Sequence, residues 1–268
     1  MKTKIKLLLM VLFISGGNIF AQDDVIDNMI KEANENSQLE RLAHELLDVV
    51  GPRLVGTPQM EQASKWAIDQ YAKWGIEARQ EKYGTWRGWE RGITHIDMIS
   101  PRVQSLDGTQ LAWNPSTGSK GVTGEAVVLP SNIKDSIAFQ KWLPSIKGKL
   151  VLISMNQPTG RPDYNWEEFA TEESFTKMKE ERAEMTRAWR QNIRRTGYNT
   201  RTIIAALENA GAVGLVACNW SRGFGVNKIF SARTKKIPTV DMELEDYTMV
   251  YRMAEYGDKP VLNIVAES

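Results

Sequence analysis

Cysteine and histidine are scarce in this sequence. Of 268 residues one is cysteine, Cys218, and two are histidine, His44 and His95. A single thiol excludes an internal disulfide, so stability must come from packing. An excess of one charge is also absent. With 34 Lys and Arg against 33 Asp and Glu the net charge is +1, and no overall field recruits nucleic acid or an acidic membrane. Past the first 21 residues no apolar run approaches the roughly 20 residues of a transmembrane helix. There is no Gly-x-Ser-x-Gly elbow for a nucleophilic serine. Gly223-Phe224-Gly225 lacks the rest of a dinucleotide fingerprint. No internal repeat and no low-complexity tract occurs.

What is present first points outward. Lys2, Lys4 and Lys6 precede the apolar run Leu7 to Ile14, Gly16 and Gly17 break it, and Ala21-Gln22 offers a small residue for cleavage. This is the three-part layout of a secretory signal peptide, so residues 1–21 are set apart from the fold and the mature chain is expected to be secreted or periplasmic, with no membrane span. The remainder has an ordinary globular balance, 42% hydrophobic and 25% charged. Its length allows one large domain or two modest ones.

Ser37-Gln38-Leu39-Glu40 reads as a capping box opening a helix with Leu39, Leu42, Ala43, Leu46, Leu47 and Val50 on one side, stopped by Gly51-Pro52. Thr57 then caps a second helix with Pro58 at its first position. Met60, Ala63, Ala67, Tyr71 and Trp74 follow at helical spacing before Gly75. Ile76 to Tyr83 is expected as a strand and residues 91–100 as another. Near Gly118 the character changes. Strands are expected at Gly124 to Leu129, Leu150 to Ile153, Val213 to Cys218, Ile237 to Met242 and Pro260 to Ala266, with helices at 203–210 and 244–256. A charged helix from about Glu172 to Arg195 places Glu172, Glu173, Glu180, Glu181 and Glu184 early and Arg187, Arg190, Arg194 and Arg195 late, as the helix dipole favours. Arg187, Arg190 and Arg194 share a face that could form a phosphate-binding stripe, although a solvated surface excursion is the expected reading.

The order of these features resembles zinc-dependent exopeptidases of the aminopeptidase and glutamate carboxypeptidase type that carry an inserted protease-associated domain. The front match is Gly51-Pro52-Arg53-Leu54-Val55-Gly56-Thr57-Pro58 between two helices, with Trp74-Gly75 at the second helix end. The insert match is Gly124-Glu125-Ala126-Val127-Val128, then Ile146-Lys147-Gly148-Lys149-Leu150-Val151-Leu152, then Ala206 to Val216 and Ile237-Pro238-Thr239-Val240. The resemblance implies an α/β fold: the incomplete front part of a zinc-peptidase domain over 22–117, a β-rich protease-associated domain over 118–258 with a charged helical excursion at 162–200, and a returning peptidase strand at 259–268.

Family members hold two zinc ions through a His-x-Asp pair, a bridging carboxylate, a further carboxylate and a later His, with a Glu as general base. His95-Ile96-Asp97 spells His-x-Asp, and residues two apart on a strand face one side. It precedes the insert, however, where the family's pair follows it, and no histidine follows residue 95. His44 lies one helical turn from Glu40 and Asp48, a face that chelates a metal less often than it is merely solvated. Glu167-Glu168 and Glu172-Glu173 mimic the family's Glu-Glu motif from inside the charged excursion. Cys218 sits in an apolar strand as a small buried hydrophobe. Asn219-Trp220-Ser221 matches a glycosylation acceptor. No residue is therefore assigned a catalytic, cofactor-binding or metal-binding role, and no cofactor is expected in this chain. The expectation is the N-terminal portion of a secreted exopeptidase that removes single residues from peptides, whose partners are a peptide substrate or the missing C-terminal peptidase segment. The alternative is a non-catalytic protease-associated module binding peptides or a partner protein, with Trp86, Trp89 and Trp220 as contact residues.

Overall fold

A computed structural model describes residues 24–225, 228, 230 and 232–268. The signal peptide read at 1–21 lies outside the described residues. The chain divides into two compact units, one ending at Gly88 and one running from Trp89 to Ser268.

The first unit is helical. Residues 24–35 form α1, and α2 (Leu39–Ala43) runs on into a π-helical stretch, His44–Val50. The capping box does not form: Gln38 is the cap residue with no side-chain bond, and the Ser37 hydroxyl accepts only from the Leu39 amide at 3.4 Å. A π turn bonds residue i to i+5 and departs from 3.6 spacing. Leu47, read as part of the buried stripe, is accordingly exposed while Val50 is buried. The next helix, α3 (Pro58–Lys73), starts as expected, with the Thr57 hydroxyl accepting from the Met60 amide at 3.3 Å and Pro58 in the first turn. Gly56 precedes the cap at φ +80, where a Cβ would meet Trp86 Cβ at 3.2 Å and the Arg87 carbonyl at 3.3 Å. Glu45 ties the helices together. It accepts from Arg41 at 2.5 Å, Trp66 Nε1 at 2.8 Å and Gln70 at 3.4 Å. The Trp66 bond, followed by the one from Arg41, holds its carboxyl below the usual range.

Residues 76–93 form no regular structure, so the strand expected at Ile76 to Tyr83 is absent. A strand is stable only when its backbone groups find a neighbouring edge. The described part of the first unit contains no other strand, and Tyr83 is 78% exposed.

The second unit is built on an eight-stranded sheet of order β2-β1-β8-β4-β5-β6-β7-β3. The strands are β1 (Thr94–Ser100), β2 (Gln104–Leu106), β3 (Gly108–Gln110), β4 (Val122–Val128), β5 (Leu150–Leu152), β6 (Gly214–Ala217), β7 (Thr239–Met242) and β8 (Val261–Ala266). β4 to β7 run parallel, with Ala126 opposite Leu150, Leu150 opposite Gly214 and Leu215 opposite Thr239. The α/β class expected from the sequence holds. The strand expected at the chain's end, β8, lies inside the sheet, antiparallel to β1 on one edge and to β4 on the other. The change of character noted near Gly118 falls within this unit, whose contacts already begin at Trp89.

Helices cover the parallel strands on both faces. On one face α4 (Ser136–Trp142), the 3-10 turn Leu143–Ile146 and α7 (Thr202–Asn209) pack Phe139, Leu143, Ile146, Ile203 and Leu207 against Val151 and Leu215. On the other, α8 (Leu244–Tyr256) packs Tyr247, Val250 and Tyr251 against Leu150, Leu152, Val216 and Val240. β5, β6 and β7 are therefore buried at every position; β5 and β6 read as continuous apolar runs, while β7 carries Thr239 and Asp241 among its buried residues. β1 and β8 alternate, because their second face carries no such cover. The long charged helix α6 (Glu172–Arg195) matches its expected bounds. It is not wholly solvated: Met178, Arg182, Asn192 and Ile193 are buried, and the Asn192 side chain accepts from Ile133 N at 2.8 Å and donates to the Pro130 carbonyl at 2.6 Å. Three helices, α1, α4 and α5 (Asp163–Phe169), are additional to those the sequence suggested.

Candidate functional site

His95 and Asp97 do share one side of β1, since Ile96 and Met98 between and beside them enter the core. Asp97 accepts from the Ser105 hydroxyl on β2 at 3.0 Å. Its cross-strand neighbour on β8 is Asn263, which donates to Thr123 on β4 at 2.8 Å. The result is a polar row of Ser105, Asp97, Asn263 and Thr123 crossing four strands on the open face of the sheet. His95 stands opposite Val265. Among the described residues no group of three or more His, Cys, Asp or Glu is placed to hold a metal ion.

His44 Nδ1 lies 2.9 Å from Asp48 Oδ2, both side chains being well exposed. Glu40 does not join them in any hydrogen bond among the described residues. Glu167, Glu168, Glu172 and Glu173 are all exposed on α5 and the first turn of α6. Trp86 is exposed. Trp89 is half-buried, donates to the Asn114 carbonyl at 3.4 Å and carries the Arg91 guanidinium over its ring at 5.3 Å.

The most perturbed groups gather at the carboxyl ends of the parallel strands, where open α/β sheets place their ligand crevices. Asp241 on β7 is 1% exposed. Its Oδ1 accepts from the Asn219 amide at 2.7 Å and from Asn219 Nδ2 at 3.0 Å, and its Oδ2 accepts from the Lys228 amide at 3.1 Å. Burial outweighs these bonds and pushes the carboxyl up to about 6. Beside it burial, with the Asp241 charge second, pushes the Cys218 thiol up to about 12. That thiol stays protonated and is no nucleophile near neutrality. Tyr247 is fully buried; its hydroxyl donates to the Ser154 carbonyl at 2.7 Å and accepts from the Ser154 amide at 2.9 Å. Desolvation holds that phenol well above its usual range. The Ser154 hydroxyl in turn accepts from the Cys218 amide at 2.9 Å.

This network locks β5, β6, β7 and α8 together and ties Asn219 and Lys228 to β7. Chemically it offers one titratable carboxylate and no activated nucleophile. The sequence reading missed Asp241. Its one signal is an acid inside the otherwise apolar run Ile237 to Met242. The glycosylation motif is also tied down here, because the Asn219 amide nitrogen that would carry a glycan is bonded to Asp241.

No family model matches the chain. Among curated proteins it is similar to carboxypeptidase Q of Rattus norvegicus, 27% identical over 234 residues, which cover 86% of this chain and 42% of that protein. Carboxypeptidase Q of Homo sapiens is 25% identical over 239 residues with the same coverage. Among solved structures, a Peptidase M28 precursor from Shewanella amazonensis superposes with TM-score 0.55 at 19% identity, covering 91% of this chain and 49% of that one. The chain thus spans about two fifths of the length of the curated relatives it matches.

Proposed function

We propose that this chain, a relative of the zinc-dependent exopeptidases, is the N-terminal portion of an exported enzyme of that kind and acts in removing residues from peptide ends. The observation that carries the reading is the similarity to carboxypeptidase Q along 86% of the chain but only 42% of the relative. We further propose that the zinc ligands come from sequence beyond this portion. The sequence holds two histidines, and with His95 and Asp97 accompanied on their face by Ser105, Asn263 and Thr123, the described residues bring together fewer than the three or four converging ligands that zinc requires. In the assembled enzyme two zinc ions would polarise the scissile carbonyl and supply hydroxide at neutral pH. The protease-associated segment, read at 118–258, would shape or gate the peptide cleft. The exposed apolar side chains of the first unit, Leu47, Val49 and Trp74 among them, favour a further peptidase segment for these helices to cover.

Two measurements test this. Reading the gene past the Ser268 codon should disclose a His-x-Asp-bearing continuation. The purified chain should hold less than one equivalent of zinc by mass spectrometry and should leave aminoacyl and carboxypeptidase reporter peptides uncleaved. Chelator-sensitive turnover by this chain alone would overturn the account of the ligands.

A second reading is favoured by one feature. Every strand of the unit 89–268 has a partner within that unit, as a self-sufficient module requires. On that reading the unit binds peptides or a partner protein without catalysis. Saturable binding of unmodified peptides by the chain, with no continuation in the gene, would select it.

A further inference from the structure

Along α6, Lys179, Arg182, Thr186, Arg187 and Arg190 recur at the spacing of a single helix face, and Arg222 from the β6–β7 connection closes over them. They line a cavity of about 420 Å³ that has no acidic side chain in its wall. Arg182 lies at its base and is 6% exposed. One guanidinium nitrogen, Nη1, pairs with Asp163, and the group lies 4.8 Å from the Trp220 ring centroid. The other two nitrogens, Nε and Nη2, are buried and have no hydrogen-bond partner. Asp163 also accepts from Arg222 at 3.2 Å, so one carboxylate aims two arginines. Arg187 and Arg190 are exposed and have no ion-pair partner among the described residues.

Two unmet donors on a buried cation are costly, since a buried donor without a partner forfeits its hydration uncompensated. Five cations held against a single carboxylate also repel one another. An anion seated in the cavity beside these cations relieves their mutual repulsion. A lone carboxylate carries one charge and two oxygens in a plane. A phosphate group carries close to two charges and three strong acceptor oxygens, which suits several guanidinium forks converging from different directions. We propose that this cavity is a binding site for a phosphate group, either free or as a phosphomonoester, with Arg182 at its base and Arg187, Arg190 and Arg222 around the rim. The site rests on α6 and its neighbours alone, and it stands whether or not the peptidase reading holds. The Arg187 and Arg190 face recognised in the sequence becomes part of the site.

The test is calorimetric titration of the full chain with inorganic phosphate, with O-phosphoserine and with acetate, at one ionic strength. Both phosphates should saturate at one site per chain, the tighter of the two identifying the free anion or the ester as the natural form, while acetate should not saturate. Replacing both rim residues (Arg187→Gln with Arg190→Gln) should weaken phosphate binding by about tenfold or more, because two charge-assisted bonds are lost. Arg194→Gln, on the same helix outside the cavity wall, should leave it unchanged. Both substitutions alter exposed side chains, and an unchanged circular dichroism spectrum verifies the fold. Failure of phosphate to saturate by about 20 mM, an affinity too weak for a built site, would overturn the proposal. So would acetate binding as well as phosphate, or Arg194→Gln losing as much affinity as the double variant.

Discussion

Asp241 is expected to make the stability of this protein fall as pH rises through the mildly acidic range. Its carboxyl moves from 3.8 to about 6 on folding, with burial as the main cause. Between those values the native state holds a proton that the unfolded state has released, so the unfolded state binds fewer protons and the slope of unfolding free energy against pH is negative. The contribution is complete below pH 3.8 and is lost as pH passes the folded value of about 6. A shift of roughly two units corresponds to about 3 kcal/mol. Other carboxyls titrate in the same window, so the measurement is a difference. Wild type and Asp241→Asn are unfolded with urea at a series of pH values. The asparagine keeps an oxygen for the Asn219 donors but turns an N–H₂ toward the Lys228 amide, a cost that does not vary with pH. Relative to wild type the variant should therefore gain about 3 kcal/mol between about pH 4 and pH 7, whatever its offset. A constant gap would show that the carboxyl is not perturbed. A gap moving the other way would show that its three hydrogen bonds outweigh burial.

Two further outcomes follow from the packing. Tyr247→Phe removes the hydroxyl that satisfies both backbone groups of Ser154, and should cost about 1–2 kcal/mol with an unchanged denaturant slope; a change below about 0.5 kcal/mol would mean that water replaces the phenol freely. Phe139→Ala empties a fully buried position between Trp142 and Tyr198, whose rings lie 5.6 and 5.8 Å away, and should cost about 3–5 kcal/mol by the same assay.

Segments whose structure depends on near neighbours were legible in the sequence. Thr57, Pro58 and Gly75 bound α3 because a cap, a preset φ and a residue tolerant of φ +73 act within a few positions. The charge order of α6 and the apolar runs of β5 and β6 were equally local signals. The resemblance to zinc exopeptidases lay in the order of such pieces and needed no coordinates. Tertiary structure decided what depends on pairing between distant residues. Ile76 to Tyr83 has strand composition but no other strand among the described residues of its unit, whereas β8 finds two partners, β1 and β4. His95 and Asp97 share a face, as alternation requires, but whether a third ligand joins them depends on β2 and β8. Asp241 is one acid among 33 Asp and Glu until β3, β6, Asn219 and Lys228 enclose it. The arginines of α6 are a solvated stripe until Arg222, Asp163 and Trp220 arrive from elsewhere in the chain to bury Arg182. Periodicity and capping are short-range and can be read along the chain. Desolvation and charge clustering depend on what the fold brings alongside.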